Sequence, residues 1–248
     1  MKDFRSWYYY FLGNADHFDH LNFHSKANLT AQEKKCITSS IQQFQKGENS
    51  EGKHLLQHAK KYNEPDYIDT IKLFIKEEQT HALLLGKFME IEEIPKIKKH
   101  WLDNAFRKIR NLLGLELSIT VLVTAEIVAA AYYVGLKNAT SSGLLKQICN
   151  RVVKDEDKHL EFQAYTLAHI NQNSLYLTRK LKTIGHQLFL SGTLLLVWYY
   201  HRQVLKAGQY RFTTFCRHCF EIFNKVHQLK EVYWKALEKR DHDRVLVS

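Results

Sequence analysis

The sequence predicts an all-α protein, and three observations carry that expectation. Only two prolines, Pro65 and Pro95, and ten glycines punctuate 248 residues, so few positions break a helix. Apolar residues recur at helical spacing through long stretches rich in Leu, Lys, Gln and Ala. Val and Ile are not gathered into short alternating runs, so no sheet is expected. With 45% hydrophobic and 25% charged residues, the chain can bury one substantial core or two small ones.

The elements follow in order. Residues 1–29 read as an irregular or short-helical lead-in. "ANLTAQEKK" offers Asn28 or Thr30 as an N-cap, and Glu33 three residues after Thr30 completes a capping-box pattern. A helix is expected from there to about Tyr62. "YNEPDY" is a turn, with Pro65 near the start of a second helix that runs to about Glu90. Pro95 ends it, and a connecting segment with a shorter helix fills 96–111. A third helix covers roughly 113–137, "KNATSSG" turns the chain, and a fourth covers about 143–169. Two more helices, near 175–205 and 210–240, flank Gly208. The expected organisation is a lead-in at 1–29, a four-helix unit at 30–170, and a C-terminal helical extension at 171–248 that packs on it.

Composition narrows the function classes. Cys36, Cys149, Cys216 and Cys219 do not form a disulfide framework at this length. Cys216-x-x-Cys219 lacks the second pair that a zinc or rubredoxin-like site needs, so two cysteines on a helix face are expected. "MKDFRSWYYYFLGNADHFDH" has neither the apolar core nor the cleavage site of a secretory signal, and a reducing cytoplasm is the expected compartment. Leu112–Leu136 is long enough to span a bilayer, but Glu116 and Glu126 interrupt it. A helix buried all round inside a bundle has the same pattern, so no transmembrane span is expected. The net charge of +10 suits an acidic partner such as a carrier protein or a membrane surface. Its basic residues gather at 96–110 and 179–182. No recognition motif supports nucleic acid.

The strongest signal is a repeated pair, Glu78-x-x-His81 and Glu156-x-x-His159. Positions i and i+3 share a helix face, so each pair can reach one metal ion. One such pair is ordinary as a surface ion pair. Two invite a search for carboxylates on the preceding helices, because a bundle site with two metals takes one Glu from each of two further helices. The turns at Asn63–Glu64 and near Ser141 reverse the chain, and counting back equal distances reaches positions 48 to 50, where Glu48 stands, and Glu126. Each half reads Glu, 29 residues, then Glu-x-x-His. The arms of about 15 residues are roughly 22 Å long, which places all six groups away from the loops. Glu126 lies in "VLVTAEIVAAAYY", where a carboxylate needs a partner or a metal. Four carboxylates balance two divalent cations, and this oxygen and nitrogen donor set suits iron or manganese. Glu77 and Asp155 precede the two glutamates and can accept the outer imidazole N–H, orienting each ring. Gly47, beside Glu48, either permits close helix approach or is merely tolerated.

The pattern Glu48 … Glu78-x-x-His81 … Glu126 … Glu156-x-x-His159 resembles the ferritin-like di-iron carboxylate superfamily. "GENSEGKHL" is similar to the first-helix ligand region of rubrerythrins and of cyanobacterial aldehyde-deformylating oxygenases. "AEIVAAAYYVGLKNATSSGLLKQICNRVVKDEDKHLEF" is similar to the third and fourth helices of the latter. The resemblance covers residues 30–170 and implies a ferritin-like four-helix bundle with additional C-terminal helices. It implies two iron ions, or a manganese–iron pair, with Glu78 and Glu156 bridging and His81 and His159 binding one metal each. It also implies activation of O2 for oxidation of a small organic substrate.

The departures from rubrerythrin are the missing CxxC pairs and the missing extra carboxylate on the third helix, where Leu122, Val123, Ala129 and Ala130 stand instead. Ala129 and Ala130, with Tyr133 on the same stripe, either line an apolar pocket or pack helices closely. The expected function is therefore an O2-dependent oxidoreductase acting on an apolar, lipid-like molecule, served by an acidic carrier or electron-donor protein, with a dimer compatible. The alternatives are iron oxidation, storage or peroxide scavenging without an organic substrate, and a non-catalytic helical protein with a structural metal site.

Overall fold

The computed structural model describes residues 3–15, 18, 21–23, 29–49, 52–97 and 114–245, with side chains as far as 240. Among these residues the regular structure is helical throughout, with no strand. The helices are α1 (Phe4–Gly13), α2 (Ala31–Glu48), α3 (Lys53–Tyr62), α4 (Pro65–Ile91), α5 (Leu115–Asn138), α6 (Gly143–Ile170), α7 (Tyr176–Ala207) and α8 (Phe212–Val245).

Local chemistry sets the boundaries. Asp3 caps α1 by accepting the Ser6 amide at 2.8 Å. Thr30, rather than Asn28, caps α2: its hydroxyl accepts the Glu33 amide at 3.2 Å, and the Glu33 carboxylate accepts the Thr30 amide at 2.7 Å. Pro65 opens α4, where its fixed φ suits the first turn. The α4 helix ends at Ile91, ahead of Pro95, and Glu93 takes a left-handed φ of 56°. The expected connecting helix at 96–111 and the basic cluster at 96–110 lie almost wholly outside the described residues.

One boundary corrects the sequence reading. The helix expected to run from about 30 to 62 is two helices, and the first ends at Glu48 itself. Gly52 sits at φ 62°, and a Cβ there would come within 2.6 Å of the Ile75 side chain. A left-handed residue closely covered by α4 stops helical propagation. Glu48 therefore occupies a helix end, not a helix middle. Gly47 does not serve close helix approach, since a Cβ there would meet open space.

The helices bury one connected apolar core. The α5 helix packs along α6, α2 lies on α4, and α4 meets α6, so the four helices bearing the predicted ligands share an interior. The α5 helix is long and apolar enough to cross a membrane, and 83% of its most apolar window is buried inside the protein. The lead-in also joins this packing. Phe4, Trp7 and Phe11 of α1 are buried against α4 and α6, with Phe11 and Phe162 rings 5.4 Å apart. The C-terminal helices close the other side: α7 packs on α5 and α2, and α8 packs on α6. Gly208 makes this possible, because a Cβ there would collide with the Gly135 backbone of α5. The outer face of α7 exposes Leu177, Leu181, Ile184, Leu188, Leu195 and Tyr199. Cys216 and Cys219 are unpaired thiols on α8, the second of them buried.

Candidate metal centre

Glu48 ends α2, Glu78 and His81 lie mid-way along α4, Glu126 lies mid-way along α5, and Glu156 and His159 lie mid-way along α6. Glu48, Glu78, His81 and Glu156 converge so that one ligand atom from each lies within 4.8 Å of the others. His159 joins them: its Nδ1 is 2.8 Å from Glu78 Oε1 and 3.6 Å from Glu156 Oε2. His81 Nδ1 is 3.8 Å from Glu156 Oε1 and 4.0 Å from Glu78 Oε1. Glu126 stands outside the four-residue cluster, but it is 3% exposed and its charge is felt together with those of His159, Glu156 and Glu78. Glu48 is 9% exposed, so neither of the two carboxylates inferred from chain reversal faces solvent.

The outer nitrogens are anchored in a crossed arrangement. His81 Nε2 is 3.2 Å from Asp155, which neighbours the other pair, and His159 Nε2 is 2.8 Å from Glu77, which neighbours the first. Each helix thus supplies the carboxylate that orients the imidazole of its partner helix. Asn14, just past α1, donates its amide to Glu77 and also to Asp155 at 3.1 Å. Arg151 donates to Asp155, and at 2.7 Å to the Asn14 side-chain oxygen. A carboxylate that accepts from an imidazole fixes its tautomer and leaves the other ring nitrogen as a lone-pair donor.

The sequence reading missed Asn14 and Arg151. Arg151 precedes Asp155 by four residues on one helix, a spacing that marks a neighbour. Asn14 carried no such signal, because its partners are 63 and 141 residues away.

Tyr133 is fully buried and its hydroxyl donates to Glu48 Oε1 at 2.8 Å. It therefore orients one carboxylate of the cluster. Ala129 and Ala130, three and four residues beyond Glu126, are buried on α5. Phe74 meets the His159 ring edge-on at 4.8 Å, and Phe18 meets His81 likewise at 6.0 Å.

The electrostatics are those of excess buried negative charge. Burial, and then the nearby charges of Glu78 and Glu156, hold the Glu48 carboxyl well above the usual carboxylate range. Burial does the same to Glu126. For His159 burial acts downward, but Glu78 and the surrounding carboxylates overcome it and raise the imidazole well above its ordinary value. His81 is raised in the same way, by Asp155 first. Protons here offset charge that a bound cation would otherwise offset.

The unpartnered atoms test whether metal fits. His81 Nδ1, both oxygens of Glu126 and Glu156 Oε2 are buried without a hydrogen-bond partner, and Glu78 Oε1 and His159 Nδ1 face each other at 2.8 Å. Buried polar atoms are normally satisfied, and here the orphans fall on the atoms that a cation would take. The donors are oxygen and imidazole nitrogen with no thiolate, which suits hard or borderline divalent ions. A buried Glu/His cluster that could hold a metal ion, and is compatible with a di-iron site, is thus built into the helices. No family model, no curated protein and no solved structure matches the chain.

Proposed function

We propose that this chain is a ferritin-like dinuclear carboxylate protein, loaded with two iron ions or a manganese–iron pair. In this reading it is an oxidoreductase that uses O2 to oxidise a small apolar organic molecule. The observation that carries the proposal is the division of labour at each histidine. Both Nε2 atoms are held by carboxylates of the facing helix, while both Nδ1 atoms are buried and turned inward among glutamate oxygens, His159 Nδ1 2.8 Å from Glu78 and His81 Nδ1 3.8 Å from Glu156.

Glu48, Glu78, His81, Glu126, Glu156 and His159 would hold the metals. When bound, such a pair of redox metals supplies the electrons that O2 chemistry requires. The chain's own residues do the rest. Glu77 and Asp155 keep the imidazole protons on the outer nitrogens, and Asn14 ties these two acids together. The Tyr133 hydroxyl orients Glu48. Phe11, Phe18 and Phe74 cover the histidine faces and keep water away. Ala129 and Ala130 present little bulk one turn from Glu126, which favours an apolar, lipid-like substrate on that side. The basic surface suits an acidic carrier or electron donor.

The test is metal analysis of protein produced with iron, followed by reduction and exposure to O2. The expected result is about two irons per chain, oxidised rapidly and retained. Many irons per chain would instead make the protein a storage or iron-oxidising one. Absence of bound metal, or metal indifferent to O2, would overturn the proposal.

A further inference from the structure

A second polar interior lies away from the metal centre, in a recess of about 30 Å³ between α5, α6, α7 and α8. Thr120 of α5 lines it, six residues and so about 9 Å along the helix from Glu126. Three cations border the recess: Arg179 and Lys182 from α7, and Lys230 from α8. They face two carboxylates, Glu116 and Glu231.

The pairing among these groups is incomplete. Lys182 is engaged, with Nζ 2.8 Å from Glu116 and 2.6 Å from the Asn171 side-chain oxygen. Arg179 is only 5% exposed, and its Nε and Nη1 are buried without an acceptor. The Trp234 ring covers the guanidinium face at 3.1 Å, which stabilises the charge but leaves those in-plane N–H groups unmet. Lys230 reaches only the Thr183 hydroxyl, at 3.4 Å. His186 and His227 complete the polar lining and hydrogen-bond each other at 3.2 Å, with His186 also 3.0 Å from the Thr124 hydroxyl. Burial holds His186 down to about 4, so this imidazole brings hydrogen-bonding capacity without charge.

Buried guanidinium N–H groups without acceptors are rare because water or a partner normally meets them. Here they coincide with a recess, one uncompensated positive charge and a second poorly paired ammonium. We propose that this recess binds a small oxyanion, the carboxylate or phosphate group of an anionic metabolite, held by Arg179 and Lys230. A recess of about 30 Å³ takes no more than a few water-sized groups, so the oxyanion head alone enters and any remainder of the molecule lies outside. A single negative charge balances the recess, and the guanidinium and ammonium supply the charge-assisted hydrogen bonds that oxyanions favour.

The experiment is independent of the metal. Metal-free full-length protein is titrated with sodium phosphate and, separately, with sodium acetate, against sodium chloride at equal ionic strength, following heat release and thermal midpoint. A saturable response to either oxyanion beyond chloride is expected, and the stronger of the two identifies the source. Arg179→Met is expected to weaken binding at least tenfold while leaving the anion-free thermal midpoint unchanged or higher. Lys230→Gln provides the same reading if the first variant does not fold. A response no greater than chloride's overturns the proposal, and so does one that survives undiminished in both variants.

Discussion

The two polar interiors of this molecule are electrostatic opposites. The candidate metal centre gathers Glu48, Glu78, Glu126 and Glu156 around two imidazoles and leaves carboxylate oxygens without partners. The recess beneath α7 gathers Arg179, Lys182 and Lys230 around two imidazoles and leaves guanidinium nitrogens without partners. The histidines respond in opposite directions. Carboxylates raise His159 well above its ordinary value, whereas burial first and Lys230 second hold His227 down to about 2. The same residue type is thus pushed toward its charged form in one interior and toward its neutral form in the other. In each case the imbalance favours a group of one sign, a cation in the first and an anion in the second.

The comparison breaks most severely if the metal centre is cut at its middle. Glu78 lies near both histidines, so Glu78→Ala is expected to drop bound metal from about two per chain to a small fraction, read by elemental analysis. Substituting the orienting acids is the next largest effect. Asp155→Asn or Glu77→Gln should weaken metal affinity about 10- to 100-fold, measured by competition with a chelator, and the helical spectrum should be retained.

Glu126→Met sharpens the contrast between folding and function. It removes a buried carboxylate with no hydrogen-bond partner, so the metal-free protein should gain about 1–3 kcal/mol in denaturant unfolding while losing metal. A variant that unfolds more easily would mean that Glu126 has a structural partner.

The recess makes a prediction in pH. Burial lowers Lys230 to about 8 from an ordinary 10.5, with Glu231 and Glu116 opposing and Arg179 and Lys182 reinforcing the shift. His227 and His186 are neutral throughout this range. Oxyanion affinity should therefore fall as pH rises through about 8, where Lys230 loses its charge. For the unliganded protein the sign reverses. Between about 8 and 10.5 the unfolded chain holds the extra proton, so the contribution of Lys230 to stability rises with pH across that window. The smallest expected effect is at Gly47→Ala beside Glu48, where open space receives the methyl group. It should add at most about 0.5–1 kcal/mol.

Much of the metal centre was legible because it depends on short-range periodicity. Glu-x-x-His places two ligands on one helix face whatever surrounds it, and a hairpin of two helices fixes which earlier residue stands at the same height. Counting by that symmetry pointed to Glu48 and Glu126, and both are buried, although α2 ends at Glu48 and the cluster itself takes in Glu48 but not Glu126. The break at Glu48 was partly legible in "GENSEG", where Asn, Ser and Gly signal a turn, but the apolar period continuing into "KHLLQHAKKY" read through it. The crossing of Glu77 and Asp155 to the opposite histidines was not legible, since it depends on how two helices rotate against each other. The recess was wholly invisible. Arg179 and Lys182 looked like a solvated basic run, and only the docking of Trp234 and Lys230 from α8 buries them.

The sequence alone determined most of the helices, the capping box at Thr30, the start at Pro65, and the repeated spacing of acid and imidazole, because these depend on neighbours within a turn or two. Tertiary packing alone decided which charges lost their water. Whether a side chain is desolvated depends on surfaces brought from distant parts of the chain, and that desolvation makes ordinary glutamates and arginines candidates for binding.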